Sequence, residues 1–590
     1  MGEDGIMMLR IYTIVLVVNL LITTTFIPLS GATTENVPEP GVERIVMTKI
    51  TAPDNLVSAL ISGDIDVFSG YVMLDYWDQL ATAENVEVAR YPFGLSRMLI
   101  NCERYPLNIT ALRRAIALAL DKNEIANTAP DGYCSIHDTV VPRGHPLSLE
   151  NRLNETYYES DISRAQALLN DAAFLDINGD GILEAPDGSQ FHLEVIVAMA
   201  FWVGAAFHSA LEQLHINHTI VEGYIPDYWT RLWAGDYQLA ILMTHEDRDI
   251  RSTMYHYTSA SIPYDNPSRF VNATYEELYQ RLLESPTLDE IVRISFEMQH
   301  LLWVECPVIV LYQSNGICAH RRDAFSGFVN DPFEGFGSWW SYMKVRPTSE
   351  RHTLYTTIES TTCLFNPMTT GAPIVTSLLW DTLLAYGTEN YVIPNLAQSW
   401  TIRTHATDAS VPDGHMIVAF NLYDRSSDSE GTRIKALTVA LSLMWQKSTM
   451  STLNPYYVEK MVSAYPVSDY VVEVEFSTES FWNVIDIADT PIFSVSVLAE
   501  LYTTSWTSWN PAGPDLVTTG PFRVQDGDTV VLVRNEYYSR PEAQAPDDGN
   551  SASGDGLWPY VVVIGAAVGV AIMTALLILR KRIPVRSSSQ

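Results

Sequence analysis

Apolar positions in the first half of the chain fall into two kinds of segment. Short continuous runs rich in Val, Ile and Leu predict buried strands at residues 42–50, 191–197, 239–243 and 308–312. Apolar residues spaced three and four apart predict amphipathic helices at residues 55–61, 110–125 and 161–173 and two helices within 274–306, broken at Ser285-Pro286. Strands that alternate with helices predict an α/β fold with mostly parallel strand pairing.

The second half of the chain has the same mixed character, after a polar seam at residues 346–350. Its apolar patterns predict strands at residues 352–358 and 529–534, a strand pair near 416–423, a hairpin at 461–476, and helices at 374–384 and 434–446. Within the hairpin, residues 471–476 alternate apolar and acidic side chains, which is typical of a strand with one buried face. No short internal repeat is present, so the halves are not copies of one another.

The first apolar segment near a chain end covers residues 11–29. It follows Arg10 and leads into Ser30, Gly31 and Ala32, which is the pattern of a secretory signal peptide over residues 1–32. Its length also fits an uncleaved N-terminal anchor.

The second apolar segment near a chain end predicts a transmembrane helix over residues 557–579. Arg580, Lys581 and Arg582 follow at once, so the positive-inside rule places the tail 580–590 in the cytoplasm and the preceding chain outside. Residues 541–556 are rich in Pro, Gly, Ser and acidic residues and predict a flexible linker. We therefore expect a single-pass protein of the cell membrane with an extracellular ectodomain.

Composition narrows the classes of function. The 590 residues exceed one ordinary core, so two or more lobes are expected. With 36 Lys plus Arg against 70 Asp plus Glu, the formal charge is -34, which disfavours nucleic acid as a partner. Five cysteines permit up to two disulfides. Four sequons are compatible with glycosylation, at Asn108, Asn154, Asn217 and Asn272.

Motifs in both halves are similar to those of one protein family. In the second half, residues 393–400 (IPNLAQSW) are similar to "P-x-LA-x-SW", and 518–522 and 533–538 follow "GTGPF" and "RN-x-x-Y". In the first half, residues 59–67 (ALISGDIDV) resemble "AL-x-x-GEIDV", 112–122 resemble "VRQAI…AIDR", and 306–312 stand where the family has "AP-x-IPLY". These motifs resemble the peptide and nickel-type (family 5) extracellular solute-binding proteins of ABC importers.

The order of the motifs is unusual for that family. The second half (346–540) resembles the family's N-terminal part, and the first half (41–345) resembles its C-terminal part. Joining Pro541 to Glu39 would restore the family order, which indicates a circular permutation. The alternative is a pair of half-proteins, each of which needs a partner to complete its lobe.

The resemblance implies a two-lobed periplasmic-binding-protein-like fold of class II with an extra subdomain. We call residues 41–96, 324–394 and 509–540 the first lobe, residues 395–508 the appended subdomain, and residues 97–323 the second lobe. In such proteins the lobes close on a ligand by a hinge motion. The positions that match the family's ligand loops are His245, Glu246 and Asp247 on one wall and Glu359, Thr361 and Phe365 on the other.

The loop at residues 176–187 has the composition of a calcium site. It reads D-x-N-x-D-G, and it offers oxygens from Asp176, Asn178, Asp180, Ile182, Glu184 and Asp187. Ca²⁺ prefers such a set of oxygens on a loop turned by glycine. We expect one structural Ca²⁺ or a plain Asn/Gly/Asp turn, and no other cofactor.

The resemblance predicts a membrane-anchored solute-binding protein, not an enzyme, that captures peptides or similar solutes for ABC permease and ATPase subunits. An oligosaccharide or a chelated metal would suit the same scaffold. The alternative function is a surface receptor or structural ectodomain without transport, and a surface peptidase is a more distant one. No G-x-S-x-G, H-E-x-x-H or P-loop motif supports catalysis.

Overall fold

The computed structural model describes residues 35–540, except 69–73, 130–132, 199, 224–225, 245–247, 359–364, 369–372, 450–458, 510, 512 and 527–529. The predicted signal peptide, linker and transmembrane helix lie outside the described residues. Within the described part of the chain, no helix is both long and apolar enough to cross a bilayer. The described residues all belong to one compact unit.

The strands of this unit are β1 (Arg44–Lys49), β2 (Val86–Ile100), β3 (Cys134–Ile136), β4 (Leu193–Ile196), β5 (His218–Val221), β6 (Leu239–Thr244), β7 (Val308–Arg321), β8 (Phe325–Ser326), β9 (Arg346–Pro347), β10 (Thr353–Ile358), β11 (Leu384–Tyr386), β12 (Val392–Pro394), β13 (Ala397–Thr404), β14 (Met416–Leu422), β15 (Met461–Ser468), β16 (Val471–Phe476), β17 (Phe522–Asp526) and β18 (Val530–Arg534). The helices are α1 (Pro53–Ser62), α2 (Trp77–Ala81), α3 (Thr110–Ala119), α4 (Lys122–Thr128), α5 (Ile162–Asp171), α6 (Phe201–Gln213), α7 (Tyr228–Ala234), α8 (Ile250–Tyr255), α9 (Ala273–Leu283), α10 (Leu288–Glu305), α11 (Trp339–Lys344), α12 (Pro373–Leu379), α13 (Ala436–Thr449), α14 (Trp482–Ile485) and α15 (Val495–Leu501).

The largest sheet has six strands in the order β3-β7-β2-β6-β4-β5, all from the first half of the chain. Helical crossovers join β4, β5 and β6, and β4 pairs in parallel with both β5 and β6. The long strand β2 pairs antiparallel with β6 and with β7. The prediction of mostly parallel pairing is therefore wrong, because β2 and β7 run in opposite directions along most of their length.

The strands β2 and β7 connect two hydrophobic cores. Val86 and Ile317, towards one end of the pair, are buried in a core shared with β1 and β10. Met98 and Ile309, towards the other end, are buried in the core of the second lobe. Between these ends, the pairing of β2 with β7 shifts register between Pro92 and Gly94, which marks a β-bulge. The chain therefore crosses between the lobes on two paired strands with an irregularity at the crossing point.

A four-stranded sheet with the order β10-β1-β18-β17 combines strands from both halves of the chain. Strand β1 of the first half pairs in parallel with β10 and antiparallel with β18. Ile45, Leu354 and Leu532 on these three strands are fully buried in one core. The two halves therefore fold together within one molecule and share strands.

The two ends of the described chain lie beside each other. The backbone N–H of Arg540 donates to Oε1 of Glu39 at 3.4 Å. The backbone N–H of Arg534 donates to the carbonyl of Glu43 at 2.9 Å. The seam is nearby, since Nη2 of Arg346 donates to the Glu39 carbonyl at 2.8 Å.

The appended subdomain has an antiparallel sheet in the order β13-β14-β16-β15, covered by α13. Residues along β16 alternate between half-buried and buried, as the apolar and acidic alternation predicts. Val418, Val474 and Leu443 are fully buried in its core. The strands β11 and β12, and β8 and β9, form two small further sheets.

Local signals in the sequence account for most helix boundaries. The two helices predicted in residues 274–306 are confirmed as α9 and α10, and Thr287 caps α10 by accepting from the Glu290 N–H at 3.2 Å. The single helix predicted for residues 110–125 is wrong. Asp121 instead caps a new helix, α4, by accepting from the backbone N–H of Asn123 at 2.9 Å.

The cysteines that the structure describes are free thiols. They are Cys102, Cys134, Cys306 and Cys318. The fifth, Cys363, lies outside the described residues. Burial raises the pKa of Cys102 to about 11 and the pKa of Cys306 to about 12. The disulfides that the cysteine count allows are therefore not formed among these four residues.

Candidate ligand-binding cleft

A cavity of about 660 Å³ lies where the second lobe faces the other half of the molecule. Its volume is within the range of small-molecule sites, which is about 300–1,000 Å³. The lining residues from the second lobe are Arg248, Asp249, Arg251, Ser252, Tyr255 and Tyr279. Those from the opposite side include Glu334, Trp339, Trp340, Thr376, Trp380, Asp381, Tyr386, Asn395, Ala488 and Pro491. The cavity therefore has walls from both sides of the crossing strands.

The start of α8 builds the charged part of the second-lobe wall. Asp249 caps this helix, because its Oδ1 accepts from the backbone N–H of Arg251 at 2.8 Å. Arg248, one residue earlier, donates from Nη2 to Oδ1 of Asp331 at 3.0 Å and from Nη1 to Oδ1 of Asn390 at 3.1 Å. Both acceptors belong to the opposite side, so Arg248 ties the two walls together.

Aromatic rings form much of the remaining surface. Tyr255 and Tyr279 lie with ring centroids 6.2 Å apart on the second-lobe wall. On the opposite wall, Trp339 and Trp340 meet edge to face at 5.1 Å. Nε1 of Trp340 donates to the Tyr386 carbonyl at 3.0 Å, which fixes that ring. Rings held in this way offer apolar and stacking surface at little entropic cost.

A buried ion pair supports the opposite wall. Asp381 accepts from Arg540, and both side chains are 2% exposed. The side-chain Nδ2 of Asn395 donates to Oδ1 of Asp381 at 3.1 Å. Burial raises the pKa of Asp381, whereas Arg540 and Asn395 act to lower it. Arg540 is the last described residue and Asp381 lines the cavity, so this pair joins the end of the folded region to the opposite wall.

Of the six predicted ligand residues, the structure describes only Phe365, which does not line this cavity. His245, Glu246 and Asp247 lie outside the described residues, directly before Arg248, which lines the cavity. Glu359 and Thr361 also lie outside them. Phe365 is 4% exposed, and its carbonyl accepts from Nε1 of Trp380 at 2.9 Å. Phe365 is therefore buried behind Trp380, a lining residue to which its carbonyl is hydrogen-bonded. A role of the other five positions in ligand binding stays a prediction.

Several lining residues are absent from the set predicted on sequence grounds. Arg248 and Asp249 directly follow the predicted loop, so extending the same reasoning to the cap of α8 finds them. Trp339 and Tyr255 carry no local signal, because their aromatic rings look the same in sequence whether they line a cavity or fill a core.

Comparison with known protein families tests the resemblance. Residues 36–262 match the family described as bacterial extracellular solute-binding proteins, family 5 Middle. The predicted family 5 resemblance is confirmed. The description of the family names solute-binding proteins, and the match covers less than half of the chain. No curated protein matches the sequence.

Solved structures similar to the chain include the periplasmic oligopeptide-binding protein of an oligopeptide ABC transporter from Thermotoga maritima, HbpA2 from Haemophilus parasuis, and the oligopeptide-binding protein AppA from Bacillus subtilis in complex with a nonapeptide. Their identities to this chain are 18%, 17% and 16%, with TM-scores of 0.43, 0.42 and 0.40. Each alignment covers 51% of this chain, and 62%, 57% and 59% of the respective structure. The chain therefore spans less than two thirds of the length of these proteins.

The predicted calcium loop is closed by its own hydrogen bonds. Asp176 accepts from the backbone N–H of Gly179 at 2.7 Å and of Gly181 at 3.0 Å. Nδ2 of Asn178 donates to Oε1 of Glu184 at 2.6 Å and to Oδ2 of Asp180 at 3.0 Å. These contacts link three of the predicted ligands, Asn178, Asp180 and Glu184, while Asp176 holds the backbone of the loop.

The other two predicted ligands are engaged differently. Ile182 donates its backbone N–H to Asp180 at 2.9 Å, and Asp187 accepts from the hydroxyl of Ser189 at 2.6 Å. Among the residues described, no cluster of three His, Cys, Asp or Glu side chains has the arrangement of a metal site. The donor set fits Ca²⁺ in part, and a bound ion stays a prediction.

The sequons differ in accessibility. Asn108, Asn154 and Asn217 are exposed. Asn272 is half-buried and caps α9, because its Oδ1 accepts from the Tyr275 N–H at 3.1 Å. Glycosylation at all four positions stays a prediction, with Asn272 the least accessible.

Proposed function

We propose that this chain is a membrane-anchored extracellular protein that captures peptides or similar solutes in the cavity between its lobes for an ABC importer. The single observation that carries the proposal is the cavity of about 660 Å³ with walls on both sides of the crossing strands. A ligand that contacts both walls stabilises the closed arrangement over an open one. The family match adds the solute-binding class.

The rings and charges of the cavity suit a peptide-like solute. Tyr255 and Trp339 offer stacking surface on opposite walls, and Arg248 and Glu334 provide charges of both signs. A peptide carries backbone donors and acceptors together with apolar side chains, so it can use both kinds of surface. An ABC importer also has a permease and an ATPase, and these two partners belong to the proposal.

Three observations support a circular permutation within this proposal. Strands from both halves of the chain lie in one sheet, with β1 between β10 and β18. Arg540 and Glu39 are in contact, so a short peptide would join the chain ends in the family order. The family model matches residues 36–262, whereas the motif that resembles the family's N-terminal part lies later in the chain, at residues 393–400. A pair of incomplete halves has no need for shared strands within one chain.

Membrane anchoring rests on the sequence alone. The apolar residues 557–579 are long enough to span a bilayer, and three basic residues follow them. Residues 541–556 start directly after Arg540. Such a linker would hold the cavity-bearing unit near the membrane, where a permease would receive the solute.

The test is thermal unfolding of the purified folded region, residues 36–540, against a library of short peptides and a parallel set of oligosaccharides. A solute at a hundred times its Kd should stabilise the protein by about 2.7 kcal/mol. The substitutions Tyr255→Ala and Trp339→Ala, on opposite walls, should each weaken binding about tenfold or more, since aromatic contacts often dominate binding energy.

Trp229→Ala is the matched control, because Trp229 is 52% exposed and does not line the cavity. Its affinity should equal that of the unmodified protein. Saturable binding that neither cavity variant weakens would place the solute elsewhere. If no solute stabilises the protein, the transport role is wrong and the receptor or structural alternative is favoured.

A further inference from the structure

A short segment of the appended subdomain packs into the core of the second lobe. Trp482, in α14, is 5% exposed and belongs to the same hydrophobic core as Leu282 and Ile291 of the second lobe. Val484 and Ile487, on the same short segment, are fully buried in the subdomain's own core. The segment therefore bridges two cores, with Trp482 as the side chain that leaves its own subdomain.

Three hydrogen bonds fix this contact. Nε1 of Trp482 donates to the Leu282 carbonyl at 2.7 Å. The Ser480 hydroxyl donates to the Leu283 carbonyl at 2.8 Å, and the Phe481 N–H donates to the Ser285 carbonyl at 2.8 Å. These carbonyls lie at the C-terminal end of α9, where the last turn of a helix lacks internal partners. The appended subdomain therefore caps a helix of the second lobe.

A buried ion pair lies beside the tryptophan. Arg251 of the second lobe donates from Nη1 to Oδ2 of Asp486 at 3.1 Å, and their side chains are 7% and 3% exposed. Asp249 holds the other side of the same guanidinium at 2.7 Å. The guanidinium carbon lies 4.2 Å from the Trp482 ring centroid, within cation–π range. Separating the two sides would break the pair between Arg251 and Asp486, and Arg251 would keep Asp249.

The position of these contacts relates them to the cleft. Arg251 and Ala488, on the two sides of the contact, both line the cavity. The strands β2 and β7, which cross between the lobes, have a bulge between Pro92 and Gly94 of β2. A rotation at that bulge that widens the cavity must separate Arg251 from Asp486 and withdraw Trp482 from the second lobe.

We propose that Trp482 and the Arg251–Asp486 pair form a latch that holds the cleft closed through contacts the chain makes with itself. Solute enters and leaves only when this latch opens. The effect of the latch on solute exchange rests on the proposed function. The latch itself can be measured without any solute. Closure then depends on the latch, on the Arg248 contacts across the cleft and on the solute, and weakening the latch shifts the population of open molecules.

The test uses the unmodified chain, Asp486→Asn and Trp482→Ala, with hydrogen exchange by mass spectrometry and small-angle X-ray scattering. Both variants should raise exchange of residues 280–286 and 480–486 by about tenfold or more, as removal of a hot-spot contact does. The radius of gyration should increase as the lobes separate. Asp486→Asn keeps the side-chain volume and serves as the deciding variant if Trp482→Ala does not fold.

Asp469→Asn is the matched control, since Asp469 pairs with Lys435 on the exposed surface of the same subdomain. It should leave exchange and radius of gyration at the values of the unmodified chain. Folded Asp486→Asn protein with unchanged exchange and radius would overturn the latch. With a solute from the thermal screen, its dissociation rate should also rise about tenfold in Asp486→Asn. Absence of any solute would contradict the proposed function and leave the closure measurements to decide the latch.

Discussion

The two main sheets of this protein are assembled in different ways. The six-stranded sheet of the second lobe draws on residues 86–321, and its strands are joined within one half of the chain. The four-stranded sheet of the first lobe places β1 between β10 and β18, which come from the other half. Contacts between residues far apart in sequence carry a larger loop-closure cost. The second lobe is therefore complete within the first half of the chain, whereas the first lobe needs strands from both halves.

Two buried ion pairs, one in each lobe, differ in the same way. Arg540 and Asp381 are fully enclosed in the first lobe and come from positions 159 residues apart. The buried pair Lys122 and Asp138 in the second lobe spans 16 residues. Both lobes contain a buried ion pair. The pair in the first lobe joins Arg540, the last described residue, to Asp381, which lines the cavity.

The largest effect is expected for Arg540→Met. This change leaves the Asp381 carboxyl buried without its cation, and such a loss costs about 3–5 kcal/mol. The unfolding free energy should be measured by urea denaturation. Arg540 lowers the Asp381 pKa, so its removal raises that pKa in the folded state further above the unfolded value. The ionised form then opposes folding, and the variant should recover stability as the pH falls through the raised pKa.

Lys435→Met provides the control, because Lys435 and Asp469 form an exposed pair in the appended subdomain. No measurable loss of stability and no change of pH dependence are expected for it. A loss below about 1 kcal/mol for Arg540→Met would show that the chain end is not needed by the first lobe.

A pair of leucines compares the two sheets directly. Leu532 on β18 and Leu311 on β7 are both fully buried, and each change to Ala should cost about 2–5 kcal/mol. Hydrogen exchange should separate them. Leu532→Ala should raise exchange in both β1 and β10, since β18 pairs with β1 and β1 pairs with β10. Leu311→Ala should raise it within the second lobe.

The contrast fails if Leu311→Ala loosens β10 as strongly as Leu532→Ala does. That result would mean that the two lobes unfold as one cooperative unit. If the two variants raise exchange equally in β1 but unequally in β10, then β1 of the first half keeps its place without the strands of the second half.

Sequence patterns were sufficient for much of the fold, and the reasons are local. The break between α9 and α10 follows from Ser285-Pro286, and the caps of α4 and α10 are Asp121 and Thr287. The full length of β2 and β7 was not predictable from short apolar runs, because polar residues interrupt both runs, such as Arg90 in β2 and Gln313 and Ser314 in β7. Antiparallel pairing depends on which distant strands meet, and local periodicity carries no information about that.

The cleft was less predictable than the fold. Family motifs lead to the loop before Arg248, since strand β6 and the cap of α8 have local signals. The opposite wall comes from α11, α12 and β11, and its aromatic rings have no pattern that separates lining from core positions. The bridging role of Trp482 is invisible in sequence because it depends on two subdomains meeting.

The smallest effect concerns the second lobe alone. If the loop at residues 176–187 binds Ca²⁺, calcium at ten times its Kd should stabilise the protein by about 1.4 kcal/mol. Asp176→Asn should abolish this gain, since Asp176 is the first carboxylate of the loop and accepts from Gly179 and Gly181. Thermal unfolding in calcium and in chelator measures the gain in stability, and hydrogen exchange shows which part of the protein is stabilised. Protection should rise in the second lobe and not in the four-stranded sheet of the first.

Asp408→Asn is the control, because Asp408 holds a similar turn in the appended subdomain by accepting from the Ser410 N–H at 2.9 Å. Equal melting in calcium and in chelator would identify the loop as a plain turn whose hydrogen bonds already satisfy its carboxylates.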